Sequence, residues 1–302
     1  MAITPTAVPP RQAMRQHAEA RPRARRTARD QLNMAFLYLM LTVIALIAIF
    51  PFWWMIVAAT RRSATILNFP PPISLGDALV TNYNELLQGV PVWQDAFNSL
   101  FIASIETVLV LFFCSLGGYA FAKFAFRGRD ALFGLMLATM MIPNILGIIP
   151  SFMLFRQLGW LNTYLPLIIP DATNAFGIFW MRQYISSAVP NDLTEAARID
   201  GAHEFRIYWN IVLPVVTPAL AALAIFTFMG KWNDFFFPLI ILKDPAKYTL
   251  PVALASLQGS HGQEIGVQML GAAMAILPVM LVFLLSARHF MAGLTAGAVK
   301  GA

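Results

Sequence analysis

The stretch Glu195-Ala196-Ala197-Arg198-Ile199-Asp200-Gly201, separated by nine residues from Ile211-Val212-Leu213-Pro214, decides how this chain is read. It forms a polar, turn-bearing island at 183–210, with hydrophobic segments on both sides. Pro190 stops any preceding helix, and Asn191 or Asp192 can start another. Asp192 with Glu195 three residues on has the pattern of a capping box. Leu193, Ala196, Ala197 and Ile199 give that helix one apolar, small-residue side. Gly201 permits a left-handed turn that a residue with a Cβ resists. A second short helix, from Ala202 toward Trp209, then leads into a membrane segment beginning near Pro214. Glu195 could simply cap and Gly201 simply bend. That local account leaves unexplained why small alanines stand beside an exposed acid, whereas a docking surface for a soluble partner needs both.

Composition places this island in a membrane protein. Of 302 residues, 58% are hydrophobic and only 12% charged, too little charge to cover a soluble domain of this size. Residues 31–60, 131–155 and 265–287 carry no charge, and each run exceeds the roughly 20 residues needed to cross a hydrocarbon core. Segments 97–122, 161–181 and 211–242 add three spans with polar exceptions: Glu106, Asp171, and Lys231 with Asp234. Six spans are expected. They are helices, because backbone polar groups in lipid must be satisfied within the segment. Pro143, Gly147 and Pro150 predict a kinked third span, packed centrally so that neighbours satisfy the freed carbonyls.

Lysine and arginine placement sets the orientation. With the N-terminus inside, 15 basic residues fall on the cytoplasmic side and 6 outside, so both termini and the 183–210 loop are expected in the cytoplasm. Between the first two spans, a small amphipathic element is expected around 82–87; a tight basic turn with Gly128 at its centre joins spans two and three. Residues 1–30 hold seven arginines against Glu19 and Asp30. Such a tail can bind a partner or nucleic acid, or fix topology beside anionic lipid headgroups; the second reading is adopted, with lipid and no nucleic acid as its partner. The apolar run behind it is too long for a cleaved signal peptide.

Chemistry-bearing clusters are not evident. Cys114 is the single cysteine, the four histidines are scattered, and the nucleotide-binding pattern G-x4-G-K-[ST] is missing. No catalytic residue, metal site or cofactor is therefore expected, and ATP, if used, is bound by another chain.

The quoted stretch resembles the EAA loop of ABC importer membrane subunits, written E-A-A-x3-G-x9-I-x-L-P, and every specified position matches. The match extends further. Asn98-Ser99, Gly118-Tyr119-Ala120-Phe121-Ala122, Trp232-Asn233-Asp234, Tyr248-Thr249-Leu250-Pro251 and the ending from Gly293 to Gly301 are similar to the smaller membrane subunit of maltose-type carbohydrate importers. The resemblance implies an all-α, type I ABC importer membrane-domain fold in a bacterial inner membrane. It implies a second homologous permease subunit, two copies of a cytoplasmic ABC ATPase, an extracellular sugar-binding protein and a carbohydrate substrate. Glu195, Ala196, Ala197, Asp200, Gly201, Leu213 and Pro214 would couple to the ATPase, and Gly293, Thr295, Gly297 and Lys300 in the cytoplasmic tail 288–302 would make a second contact.

Two acids depart from the pattern of those relatives. Glu106 lies roughly 15 Å into its span at 1.5 Å per residue, and Asp171 follows Pro170. A carboxylate at that depth is costly unless paired or wetted. Either both line the sugar pathway and accept hydroxyl hydrogen bonds, or they pair structurally between helices or with the partner subunit. Trp232, Asn233 and Asp234 combine a ring for stacking with groups that bond hydroxyls; the plainer account is an interfacial aromatic belt with a snorkelling Lys231. In maltose-type importers the companion subunit supplies the substrate contacts. A proton-coupled carrier using Glu106 and Asp171 is the competing class, and it leaves the loop unexplained.

Overall fold

The computed structural model describes residues 28–260 and 264–298. Every regular element among them is helical. In chain order these are α1 (Ala28–Ala59), α2 (Ser63–Ile66), α3 (Leu79–Gly89), α4 (Val92–Lys123), α5 (Arg129–Thr139), α6 (Ile148–Gln157), α7 (Leu165–Ile168) and α8 (Ala175–Ala188). The short pair α9 (Asn191–Ile199) and α10 (Glu204–Ile207) follows, then α11 (Leu213–Val215), α12 (Thr217–Trp232), α13 (Phe236–Ile241), α14 (Leu250–Ser260) and α15 (Ile265–Ala298). The arginine-rich tail before residue 28 and Lys300 lie outside the described residues.

Two units divide inside α1, between residues 53 and 54. In the first, residues 31–53 are almost uniformly apolar and, Met34 excepted, exposed. Thr42 returns its hydroxyl proton to the Tyr38 carbonyl at 2.8 Å, so even its polar group is satisfied within the helix. A helix hydrophobic all round is suited to lipid.

The second unit is built on α4, which packs most extensively against α8 and α12. Small residues allow the first contact. A Cβ on Gly118 would sit 2.6 Å from the Met181 Cβ and 2.8 Å from the Arg182 nitrogen, so α4 and α8 touch through backbone at that level. Two indoles tie further helices: Trp180 of α8 donates to the Ala219 carbonyl of α12 at 3.1 Å, and Trp232 of α12 to the Ala275 carbonyl of α15 at 3.0 Å. Three apolar clusters fill the unit. One joins α4, α8 and the 207–223 segment around Cys114, Met181, Ile207 and Tyr208. Another joins α3, α4, α12, α14 and α15 around Leu86, Ala103, Trp232 and Leu257. The third joins α4 to α6, α7 and α13 around Ile102, Phe155 and Ile241.

Among the described residues, three helices are long and apolar enough to cross a membrane, or up to five if each bent pair is one span. Expectations for individual spans need correction. The third expected span is broken between α5 and α6 by 88°, at Pro143 as foreseen. Within this chain part of it is left open: Met141 is 85% exposed, and Ile145, Leu146 and Ile149 are exposed beside it. The 161–181 segment is not one helix. Pro170 sits in a 3-10 turn, and α8 begins afresh where the Asn174 side chain accepts from the Gly177 amide at 2.7 Å. The fifth segment bends by 80° at Val216, between Pro214 and Pro218, which lack the amide protons a continuous helix would use. The amphipathic element expected around 82–87 is α3.

Candidate functional site

One polar centre lies at the end of α12. Lys231 occupies its last turn and is 8% exposed. Its Nζ stands 3.1 Å from Glu106 on α4, 3.2 Å from Asp171 in the turn before α8, and 3.8 Å from Asp234 just past its own helix. Burial of an ammonium is tolerable because three carboxylates converge on it. The acids differ in access: the Glu106 side chain is 5% exposed, Asp234 23% and Asp171 57%. Asp234 is oriented by the Phe237 amide, which donates to its Oδ1 at 3.3 Å.

This cluster forms one wall of a cavity of about 530 Å³, lined also by Thr139, Asn144, Asn174 and Phe226. A neighbouring cavity of about 760 Å³ shares Thr139, Asn144, Asp171 and Asp234 and adds Phe236 and Phe237. Glu106 and Asp171 both pair with Lys231 across helices and both line this cavity, Asp171 with the more open side chain. Lys231 is not a snorkelling surface lysine. Trp232 is not part of an aromatic belt and is not positioned for stacking in the cavity. It is 2% exposed and stacks on Phe228 in the core. The Asn233 amide donates to the Met229 carbonyl of its own helix at 2.8 Å. Sequence reasoning missed Lys231 as the centre, although a lysine in an otherwise apolar span is the signal that could have found it. Thr139, Asn144 and Asn174, polar residues beside helix breaks, were missed too.

The second centre is the 190–212 loop. α9 starts after Pro190 with no side-chain cap, so the Asp192 and Glu195 capping box does not form. Thr194 bonds the Asn191 carbonyl at 2.8 Å instead. Of the apolar side read from the sequence, Leu193, Ala196 and Ile199 face outward with Glu195 and Asp200, Ile199 being 87% exposed, whereas Ala197 faces inward with Thr194. Gly201 has φ +80°, the left-handed turn its type was read for. His203 then caps α10, its Nδ1 accepting from the Arg206 amide at 3.3 Å. Leu213 is half-buried against the core, and Pro214 is exposed.

Polar contacts fasten this loop to the end of α4. Arg198 meets Glu204 at 2.6 Å across the Gly201 turn, and the Tyr119 hydroxyl donates to the other Glu204 oxygen at 2.6 Å. Glu204 beside it raises the Arg198 guanidinium further above its ordinary range. Lys123 donates to the Val189 carbonyl and to Asn191 Oδ1, and Ser115 and Tyr208 share a hydrogen bond of 2.8 Å. Of the proposed tail contacts, Gly293, Thr295 and Gly297 belong to α15, which continues past 287 to Ala298.

A third cluster joins α2, α3 and the start of α15. Arg62 pairs with Glu85 at 2.7 Å and Glu264 at 3.5 Å, and the Ser63 hydroxyl donates to Glu264 at 2.8 Å. The Ser63 hydroxyl, then its amide and Arg62, hold the Glu264 carboxyl below the usual range, with burial opposing them.

Residues 115–295 match the family described as binding-protein-dependent transport system inner membrane component. The chain is 37% identical to the arabinooligosaccharides transport system permease protein AraQ of Halalkalibacterium halodurans, covering 85% of this chain and 93% of that one. It is 35% identical to the lactose transport system permease protein LacG of Rhizobium radiobacter, over 91% and 99%. To the trehalose/maltose transport system permease protein MalG of Thermococcus litoralis it is 34% identical, over 86% and 94%. Among solved structures, a chain of a bacterial ABC transporter involved in the import of the acidic polysaccharide alginate superposes with a TM-score of 0.75 at 27% identity, covering 87% of this chain and 98% of that one.

Proposed function

This chain belongs to the binding-protein-dependent transport inner membrane family, a non-catalytic, multi-pass inner membrane permease subunit, and from that premise we propose that it forms half of an ATP-driven pathway importing a sugar or oligosaccharide. In this reading the chain has six spans and both termini in the cytoplasm. A second homologous permease subunit completes the pathway. Two copies of a separate ATPase supply the energy, and an extracellular binding protein delivers the sugar. The relatives named for arabinooligosaccharides, lactose and trehalose/maltose support the substrate class.

The observation that carries the coupling role is the way the 190–212 loop is held. Its outer face, with Glu195, Ala196 and Ile199, is open for a partner, while Arg198, Glu204, Tyr119, Ser115 and Tyr208 lock its inner face to α4. A push on α9 therefore moves α4 rather than bending the loop. Tyr119 and Glu106 are about 20 Å apart along that helix at 1.5 Å per residue. Motion at the loop thus reaches the Glu106 and Lys231 pair on the cavity wall. This is a rigid-body transmission between two packed arrangements. The proton-carrier alternative draws no support, since its principal acid is ion-paired to Lys231 and the family is one of ABC permeases.

The test is ATP hydrolysis in the complex purified through a tag on this chain, with and without Glu195→Ala plus Gly201→Asp. Co-purifying ATPase activity that the double substitution removes supports the coupling role. A double variant that retains both the ATPase and transport would sink it.

A further inference from the structure

Resting on the sugar-pathway reading, we propose that this subunit's wall selects substrates by charge. It takes neutral or amino-bearing sugars and turns away those carrying carboxylate or phosphate, with Asp171 as the specificity-determining residue. The cavity wall holds three carboxylates and one ammonium, yet what it shows to an occupant is more one-sided than that count. Lys231 is 8% exposed and turned into its acids, so its charge is already committed. Asp171 is 57% exposed and shares its edge of the cavity with the neutral donors and acceptors of Thr139 and Asn144. A sugar hydroxyl finds an acceptor there, and an ammonium can take the place of Lys231 at the Asp171 carboxylate. A uronate or phosphate meets like charge, and the cavity lining of this chain offers no cation besides the paired Lys231, which is a basis for rejection. Lys231 and Glu106 act as positioning residues that hold Asp171 at the edge. An importer of an acidic polysaccharide shares this fold, so the backbone does not set the sign; the side chains do.

The experiment uses the complete membrane complex in lipid nanodiscs, without binding protein, so that only the pathway is probed. Saturation-transfer NMR is recorded with maltotriose, trigalacturonate and the chitosan trimer. The expected wild-type signal for trigalacturonate is at least fivefold below that for maltotriose, with the chitosan trimer equal to or above maltotriose. Asp171→Asn brings the uronate within about twofold of the neutral sugar and weakens the amino trimer, whereas Asp171→Glu restores the wild-type order. Equal uronate and neutral signals in wild type, or an unchanged ratio in an intact Asp171→Asn complex, overturn the charge selection and leave the pathway reading standing. A wild-type complex that binds none of the three overturns both.

Discussion

Replacing Lys231 with methionine keeps the length and most of the volume of the side chain and removes only its charge. At 3.1 Å, an ion pair in an effective dielectric of about 20 is worth about 5 kcal/mol before desolvation is subtracted. Subtraction matters less than asymmetry here. Glu106 is 5% exposed, so losing Lys231 leaves a buried carboxylate without its counterion and next to two other acids. Removing one member of a buried pair costs about 3–5 kcal/mol. For a domain of this size that lowers the thermal midpoint by roughly 10 °C. The double variant Lys231→Met with Glu106→Gln removes the stranded charge and recovers at least half of the loss, because Asp171 and Asp234 keep access to water. Fluorescence-detected size exclusion after heating, across wild type, both singles and the double, closes the cycle. A single Lys231→Met variant within about 2 °C of wild type, or a double worse than that single, would refute the buried-pair reasoning.

Other outcomes follow from particular contacts. Gly201→Asn retains more transport than Gly201→Val, because asparagine tolerates φ +80° and a β-branched residue does not, while a Cβ there meets nothing within 4 Å; equal loss in both would mean the residue matters for its surface, not its backbone. Tyr119→Phe removes a hydrogen bond to a carboxylate worth about 1.5–3 kcal/mol and loosens the loop from α4. Uptake per ATP hydrolysed in proteoliposomes should fall, and an unchanged ratio argues against rigid transmission. The Glu264 carboxyl is depressed in the folded protein, so the stability of its tie to Ser63 and Arg62 is full above the ordinary carboxylate range and lost as pH falls through its folded value. The midpoint drop on acidification should shrink in Ser63→Ala; an identical pH profile contradicts the assignment. Asp95 is fully buried with neither carboxylate oxygen hydrogen-bonded, so Asp95→Asn is expected to match or exceed wild type in thermal midpoint. A fall of several degrees would reveal a partner for that carboxylate.

Sequence by itself determined the class, the helical secondary structure and the place of the left-handed turn. Hydropathy and the need to satisfy backbone groups in lipid are local properties, and a glycine in a short polar loop reports its own backbone. The matching positions around Glu195, Gly201 and Pro214 carried the family for the same reason: they lie close together along the chain. What escaped it were properties that arise between segments. The facing direction of α9 depends on Arg198 and Tyr119 both converging on Glu204, with Thr194 and Ala197 turned inward and Ala196 outward. Breaks at 140–147 and 169–174 divided segments whose average hydropathy reads as continuous. Lys231, Glu106 and Asp171 are 60 to 125 residues apart in the chain and meet only because α4, α8 and α12 pack together. Charge pairing acts through space, and the tertiary structure alone decided which acid was sheltered, which faced the cavity, and which lysine stood between them.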